Sequence, residues 1–212
     1  MMFMNPHEPT AYIAPTLVGL SGAVGVIRYV LPDIVRNLKR GIFLTKRYVL
    51  ISISNLNYSI QRSLLLFSLM TVAVTGMLAI LASNIHSPRE FTTGVIGYVV
   101  VIVLLVVSII YKLSMEAMTR KTLFLNLWKI GYTKKELNKI VRQEVISYYF
   151  VLILIPLVYI VFISGRFIYY GDMSLQFAFI YVLSYVIPII ISGFITYFQY
   201  LNAVVKPIKG GE

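Results

Sequence analysis

Four runs of roughly 20 mostly apolar residues, 63–83, 93–113, 146–165 and 177–197, constrain this 212-residue chain more than any other feature. Each is long enough to cross a hydrocarbon layer about 30 Å thick. A backbone placed there must satisfy its own polar groups, and single runs of this length do so as helices. With 58% hydrophobic and 13% charged residues, and a mean hydropathy of +0.83, the chain has too little polar surface to enclose its apolar side chains in a soluble core. The expected fold is therefore an all-α membrane protein with lipid as its main solvent. A fifth stretch, 12–31, is interrupted by Pro15, Gly19, Gly22 and Gly25 and holds Arg28 near its end. It is expected to add an N-terminal transmembrane helix within an extension over residues 1–40, ahead of a main domain over 41–212. No basic flank precedes that stretch and no clear small-residue cleavage site follows it, which argues against a removed secretory signal.

The placement of charge predicts the topology. Of the 19 Lys and Arg residues, six lie between Pro32 and Arg62, eight between Lys112 and Val145, and two in the tail, at Lys206 and Lys209. The alternate connections, 84–92 and 166–176, hold one each, Arg89 and Arg166. By the positive-inside rule the two basic connections and the C-terminus face the cytoplasm, the short connections face outside, and an N-terminus ahead of a spanning 12–31 is outside too. The expected location is the cytoplasmic membrane, multi-pass. Because the net charge of +11 follows the apolar runs so closely, it implies no nucleic-acid partner.

Within this frame, Asp33 to Gln61 alternates basic with apolar residues and is expected to lie along the inner leaflet, although its basic residues equally suit a plain cytoplasmic loop. Tyr169 and Tyr170, beside Gly171 and Asp172, suit the headgroup level. Pro156 and Pro188 each remove a backbone donor inside an apolar run, so local kinks are expected there. Gly94, Gly97, Ser192 and Gly193 are small enough to allow close helix approach. Cysteine is absent, which excludes disulfides and thiolate metal sites.

The connection between the runs 93–113 and 146–165 is too long for a tight turn and rich in helix formers, so both runs are expected to continue beyond the membrane as helices. Gly131 suits a helix C-terminus with Lys129 in the last turn. Thr133 and Glu136 match the capping box that starts a new helix. In that helix Leu137, Ile140, Val141 and Val145 recur on one face, with Lys134, Lys135, Lys139 and Arg142 on others. The result is a helical arm whose tip carries Trp128 and Tyr132; those two rings equally suit anchoring among lipid headgroups.

The run LWKIGYTKKELNKIVRQEVISYYFVLILIPL, together with ISNLNYSIQRSLLLFSLMTVAVTGM, resembles the FtsX-like permeases, membrane subunits of ABC systems that include macrolide-export and antimicrobial-peptide-resistance members. The resemblance covers roughly residues 50–205. It implies a four-span permease domain with a coupling-helix hairpin, and an ATPase contact at Trp128, Gly131, Tyr132, Thr133, Lys134, Lys135 and Glu136. It also implies, as partners, a separate ABC-type ATPase, which would hold ATP and Mg, and a second permease, identical or paralogous. This chain would bind no cofactor beyond contact with membrane lipid. Many members carry a large external domain after their first span, and here 84–92 is too short for one. An alternative reading is a membrane transducer or scaffold that moves no substrate.

An intramembrane enzyme is disfavoured. There is no phosphate loop, no H-E-x-x-H and no G-x-S-x-G, and His7 and His86 lie outside the spans with no metal-ligand pattern around them. Ionisable residues deep in the spans, where a proton relay would need them, are nearly absent.

Overall fold

A computed structural model describes Gly25, Asn55, residues 58–60 and residues 62–204. Among the described residues every element is an α-helix: α1 (Leu64–Ser83), α2 (Pro88–Thr119), α3 (Lys121–Lys129), α4 (Lys134–Tyr169) and α5 (Leu175–Val204). Four of them, α1, α2, α4 and α5, are long and apolar enough to cross a membrane, which makes this a multi-pass membrane protein by length and composition. The expected N-terminal span over 12–31, apart from Gly25, most of the 33–61 segment, and the tail lysines Lys206 and Lys209 lie outside the described residues.

Each expected span falls inside one helix, save that Ser63 is the N-cap residue just outside α1, but three helices run well past their spans. The 36 residues of α4 measure about 54 Å at 1.5 Å per residue, against a hydrocarbon layer of about 30 Å. The short connections are correspondingly tighter than the sequence suggests. Pro88 does not sit in a loop; it opens α2 at the first helical position, where its missing N–H costs nothing, and the Phe91 N–H reaches back to the Ser87 carbonyl at 2.9 Å. At the other short connection, Gly171 takes φ +81° and ends α4. The Gly171 N–H meets the Ile168 carbonyl and the Asp172 N–H meets that of Phe167, the paired bonds of a Schellman cap. Ser174 then caps α5 by accepting the Phe177 N–H at 3.2 Å.

The chain divides into two compact units, which α2, α4 and α5 both enter. The first takes Ser63–Leu105 and Leu152–Ile187. In it Gly94 lets α2 approach α1 closely, since an added Cβ would come within 3.0 Å of Leu81 Cδ2. Tyr98 and Tyr181 stack at 4.7 Å, the Tyr181 hydroxyl donates to the Val74 carbonyl at 2.6 Å, and the Tyr98 and Ser184 hydroxyls meet at 3.0 Å.

Pro156 lies inside a helix that continues through it. Having no N–H, it leaves the carbonyl four residues earlier, on Leu152, without a helical donor. The Tyr185 hydroxyl fills that vacancy at 3.0 Å. A neighbouring helix thus satisfies the group that proline frees, as an apolar environment demands.

The second unit takes Val106–Val151, α5 from Pro188 onward, and Asn55, Tyr58–Ile60 and Arg62 ahead of α1. Here Gly193 faces the Tyr149 ring, with an added Cβ 3.4 Å from it. The Tyr149 hydroxyl meets Thr196 Oγ1 at 2.8 Å and receives Ser192 Oγ at 3.2 Å. The small residues singled out in the sequence therefore do serve close helix packing.

Candidate functional site: the arm between α2 and α4

The arm belongs wholly to the second unit. It begins where α2 ends: the Thr119 hydroxyl bonds back to the Met115 carbonyl at 3.0 Å, a habit of Thr that loosens and bends helices, and Arg120 alone separates α2 from α3. The interruption is slight. The Arg120 N–H still reaches the Glu116 carbonyl, and the Arg120 carbonyl still accepts the Phe124 N–H, both at 3.1 Å.

α3 ends in a second Schellman cap. Gly131 has φ +101°, its N–H donates to the Trp128 carbonyl at 3.0 Å, and the Tyr132 N–H donates to the Leu127 carbonyl at 3.1 Å. Two residues on, Glu136 Oε2 accepts the Thr133 N–H at 2.8 Å and the Thr133 hydroxyl at 2.9 Å, while the Glu136 N–H approaches Thr133 Oγ1 at 3.4 Å. This is the capping box read from the sequence. One helix is closed and the next opened within six residues, with orphan backbone groups answered on both sides of the turn.

The arm has its own core. Phe124 of α3 and Leu137, Ile140 and Val141 of α4 are fully buried, and Phe124 meets the Tyr200 ring edge-on at 6.1 Å. The apolar stripe on the start of α4 therefore packs on protein within this unit. The residues expected at the tip come together on one turn. Gly131, Thr133, Lys135 and Glu136 are exposed; Trp128, Tyr132 and Lys134 are half-buried, with the Lys134 ammonium 5.3 Å above the Trp128 ring. Ile130 is 75% exposed, an apolar side chain at the apex among basic neighbours. Such a turn offers a partner a shaped basic-and-apolar knob on a stiff support.

Behind the turn lies a group of residues that the sequence does not single out. Glu116, Arg120 and Glu144 are buried at 8%, 7% and 4% exposure. Arg120 forks between the two carboxylates, with Nη1 on Glu144 Oε1 and Nη2 on Glu116 Oε1 at 2.5 Å. Nη2 also reaches the Ser59 hydroxyl at 2.8 Å, and Ser59 lies 2.6 Å from Glu116 Oε1. Asn55 completes the ring, its amide 3.4 Å from Glu144 Oε2 and its carbonyl 3.3 Å from Nη2. The guanidinium also faces the Tyr58 ring at 5.7 Å. Burial alone disfavours the charged form of Arg120, but the charge on Glu144, then the contributions of Tyr200 and Glu116, outweigh it and raise its pKa. Glu116 Oε2 is buried with no hydrogen-bond partner among the described residues. Lys112, one turn earlier, donates to the Arg62 carbonyl at 2.8 Å.

Part of this cluster had a local signal: Glu116 and Arg120 stand four apart, the spacing at which opposite charges meet on a helix. Glu144 had a weaker one, a carboxylate two residues before the apolar run 146–165. Among the described residues no group of three His, Cys, Asp or Glu is arranged to hold a metal ion. No protein-family model matches the chain, and neither does any curated protein or solved structure.

Proposed function

We propose that this chain is the membrane subunit of an ATP-driven complex of the FtsX-like permease kind. In this reading the basic connections and the C-terminus face the cytoplasm. A separate ATP-binding subunit docks on the turn from Trp128 to Glu136, and its closure and opening displace the arm. The helices hand that displacement to the lipid-embedded part of the chain, and a peptide or lipid-linked substrate is exported, extracted or released. A second copy, or a paralogous permease, completes the pathway. Each nucleotide state must favour one of two arrangements of the helices for the coupling to work.

The observation that supports this reading most is the turn closed from both sides. A loose loop would absorb a push. A turn whose α3 end and α4 start are both capped, on a buried core of Phe124, Leu137, Ile140 and Val141, passes it on. The exposed Lys129 and Lys135 beside Ile130 suit an acidic, partly apolar docking groove.

Co-purification tests the reading. Co-expressed with an ATPase subunit from the same operon, the intact chain is expected to carry that subunit through detergent extraction. Lys134→Glu with Lys135→Glu is expected to lower its recovery without changing membrane insertion. Equal recovery from both chains would refute docking at this turn. Substrate movement into or out of proteoliposomes then separates a transporter from a transducer that moves nothing.

A further inference from the structure

We infer that Arg120 is a positioning residue that sets the direction in which the arm leaves α2, so that displacement of the turn reaches the helices instead of being lost at the α2–α3 junction. The inference rests on the function proposed above for where force enters, but its geometric part does not.

Arg120, at φ −90° and ψ 0°, is the one residue between α2 and α3, and two helical bonds, from its own N–H to Glu116 and from the Phe124 N–H to its carbonyl, still cross the junction. Those bonds hold the backbone locally, and the side chain ties the same point to other elements. Here the side chain at the junction is the one that reaches out to four places at once. It bonds Glu116 on α2, Glu144 on α4, Ser59 and the Asn55 carbonyl ahead of α1, and it stands beside Tyr200 of α5.

The planar fork of the guanidinium holds Glu116 of α2 and Glu144 of α4 together, so a swing of the arm that carries α4 away from the junction pulls Glu144 off Arg120. In a buried setting that separation leaves a charge without its partner, which strongly opposes the motion. The cluster therefore works as a clasp at the root of the arm, while the caps at Gly131 and Thr133 stiffen its tip.

The chain has no cysteine, so spin labels can be placed without removing native thiols. Labels on Asn126→Cys in α3 and Asn202→Cys in α5, both exposed, report the arm's position by pulsed electron resonance in lipid nanodiscs. The labelled chain is expected to give one narrow distance distribution. Arg120→Lys keeps a charge but loses the fork, and is expected to broaden or shift it; Glu144→Gln is expected to do the same. Ser59→Ala, which leaves the fork intact, is expected to change it least. Unchanged distributions for both Arg120→Lys and Glu144→Gln would overturn the clasp. If both variants fail to fold, as read by monodispersity and thermal unfolding, the cluster holds the whole unit and not the arm, and the inference is equally overturned.

A second arm uses the ATPase. Arg120→Lys is expected to recover it as well as the unaltered chain does, while coupled turnover falls by a factor of about 5 to 150, the range of ordinary coupling free energies. Loss of recovery together with turnover would make Arg120 part of the docking surface and refute the positioning role. If the unaltered chain recovers no ATPase, the proposed function fails, and the label distances still decide the clasp.

Discussion

Replacing Gly131 isolates the backbone geometry of the turn from every packing effect. A Cβ added there meets nothing within 4 Å, so the consequence of Gly131→Ala comes from φ. At φ +101° an L-residue is strained by about 1–2 kcal/mol, with β-branched side chains at the upper end and Asn, which tolerates left-handed backbone, at the lower. One to two kcal/mol corresponds to roughly a 5–30-fold change in the balance between the capped turn and an open one. The expected order of damage is Val above Ala above Asn.

The capped turn has two reporters, the N–H groups of Gly131 and Tyr132, held by the carbonyls of Trp128 and Leu127. In Gly131→Val their hydrogen exchange is expected to quicken by about that same 5–30-fold, while amides in the middle of α4 keep their protection. Membrane insertion should not change, since the four spans do not depend on the turn. On the proposed function, coupled ATP turnover falls in the same order as exchange rises. Equal protection in Gly131→Val and the unaltered chain would refute the claim that left-handed backbone holds the turn. An Ala variant as damaged as Val would refute the expected order.

Two further pairs of substitutions test the packing of the spans by thermal unfolding in detergent. Tyr185→Phe removes the donor to the Leu152 carbonyl that Pro156 leaves free, and is expected to cost about 1–3 kcal/mol for an orphaned buried group. Tyr181→Phe removes a bond to the Val74 carbonyl, which lies inside a regular helix, and is expected to cost only about 0.6 kcal/mol; the reverse ranking would sink the proline argument. Gly193→Leu drives a side chain into the Tyr149 ring, where Gly193→Ala already stands at contact distance. The Leu variant is expected to lose about 1–3 kcal/mol and Ala much less, and a Leu variant as stable as the parent would mean that α5 does not pack there.

The parts of this protein legible in the sequence share one property: their information is local. The spans announce themselves by length and hydropathy. The arm's tip does so because Gly131 and the Thr133–Glu136 pair lie within six residues, and each rule relates neighbours in the chain. Pro156 is half-legible by the same logic. Its own position identifies the Leu152 carbonyl as deprived, but the donor comes from Tyr185, 33 residues away, where no local pattern marks it. The buried clasp lies further from reach. Arg120 reads as one more basic residue in a basic connection, and its partner Glu144 is 24 residues on, while Asn55 and Glu144 are 89 apart.

The spans themselves hide one more thing, for a physical reason. A soluble helix shows which face is buried because its other face must be polar, but a helix in lipid is apolar on both. In α1, 44% of the apolar window is buried by protein, and in α2 only 17%, yet the two read alike as sequence. Lipid and protein interior place the same demand on a side chain. What sets the packing of one span apart from another is therefore carried by the few groups that lipid cannot satisfy, the threonine and tyrosine hydroxyls and the freed carbonyl at Leu152, and by the glycines where helices touch. Substitutions at those positions, more than changes of apolar bulk, are where the arrangement of this bundle is decided.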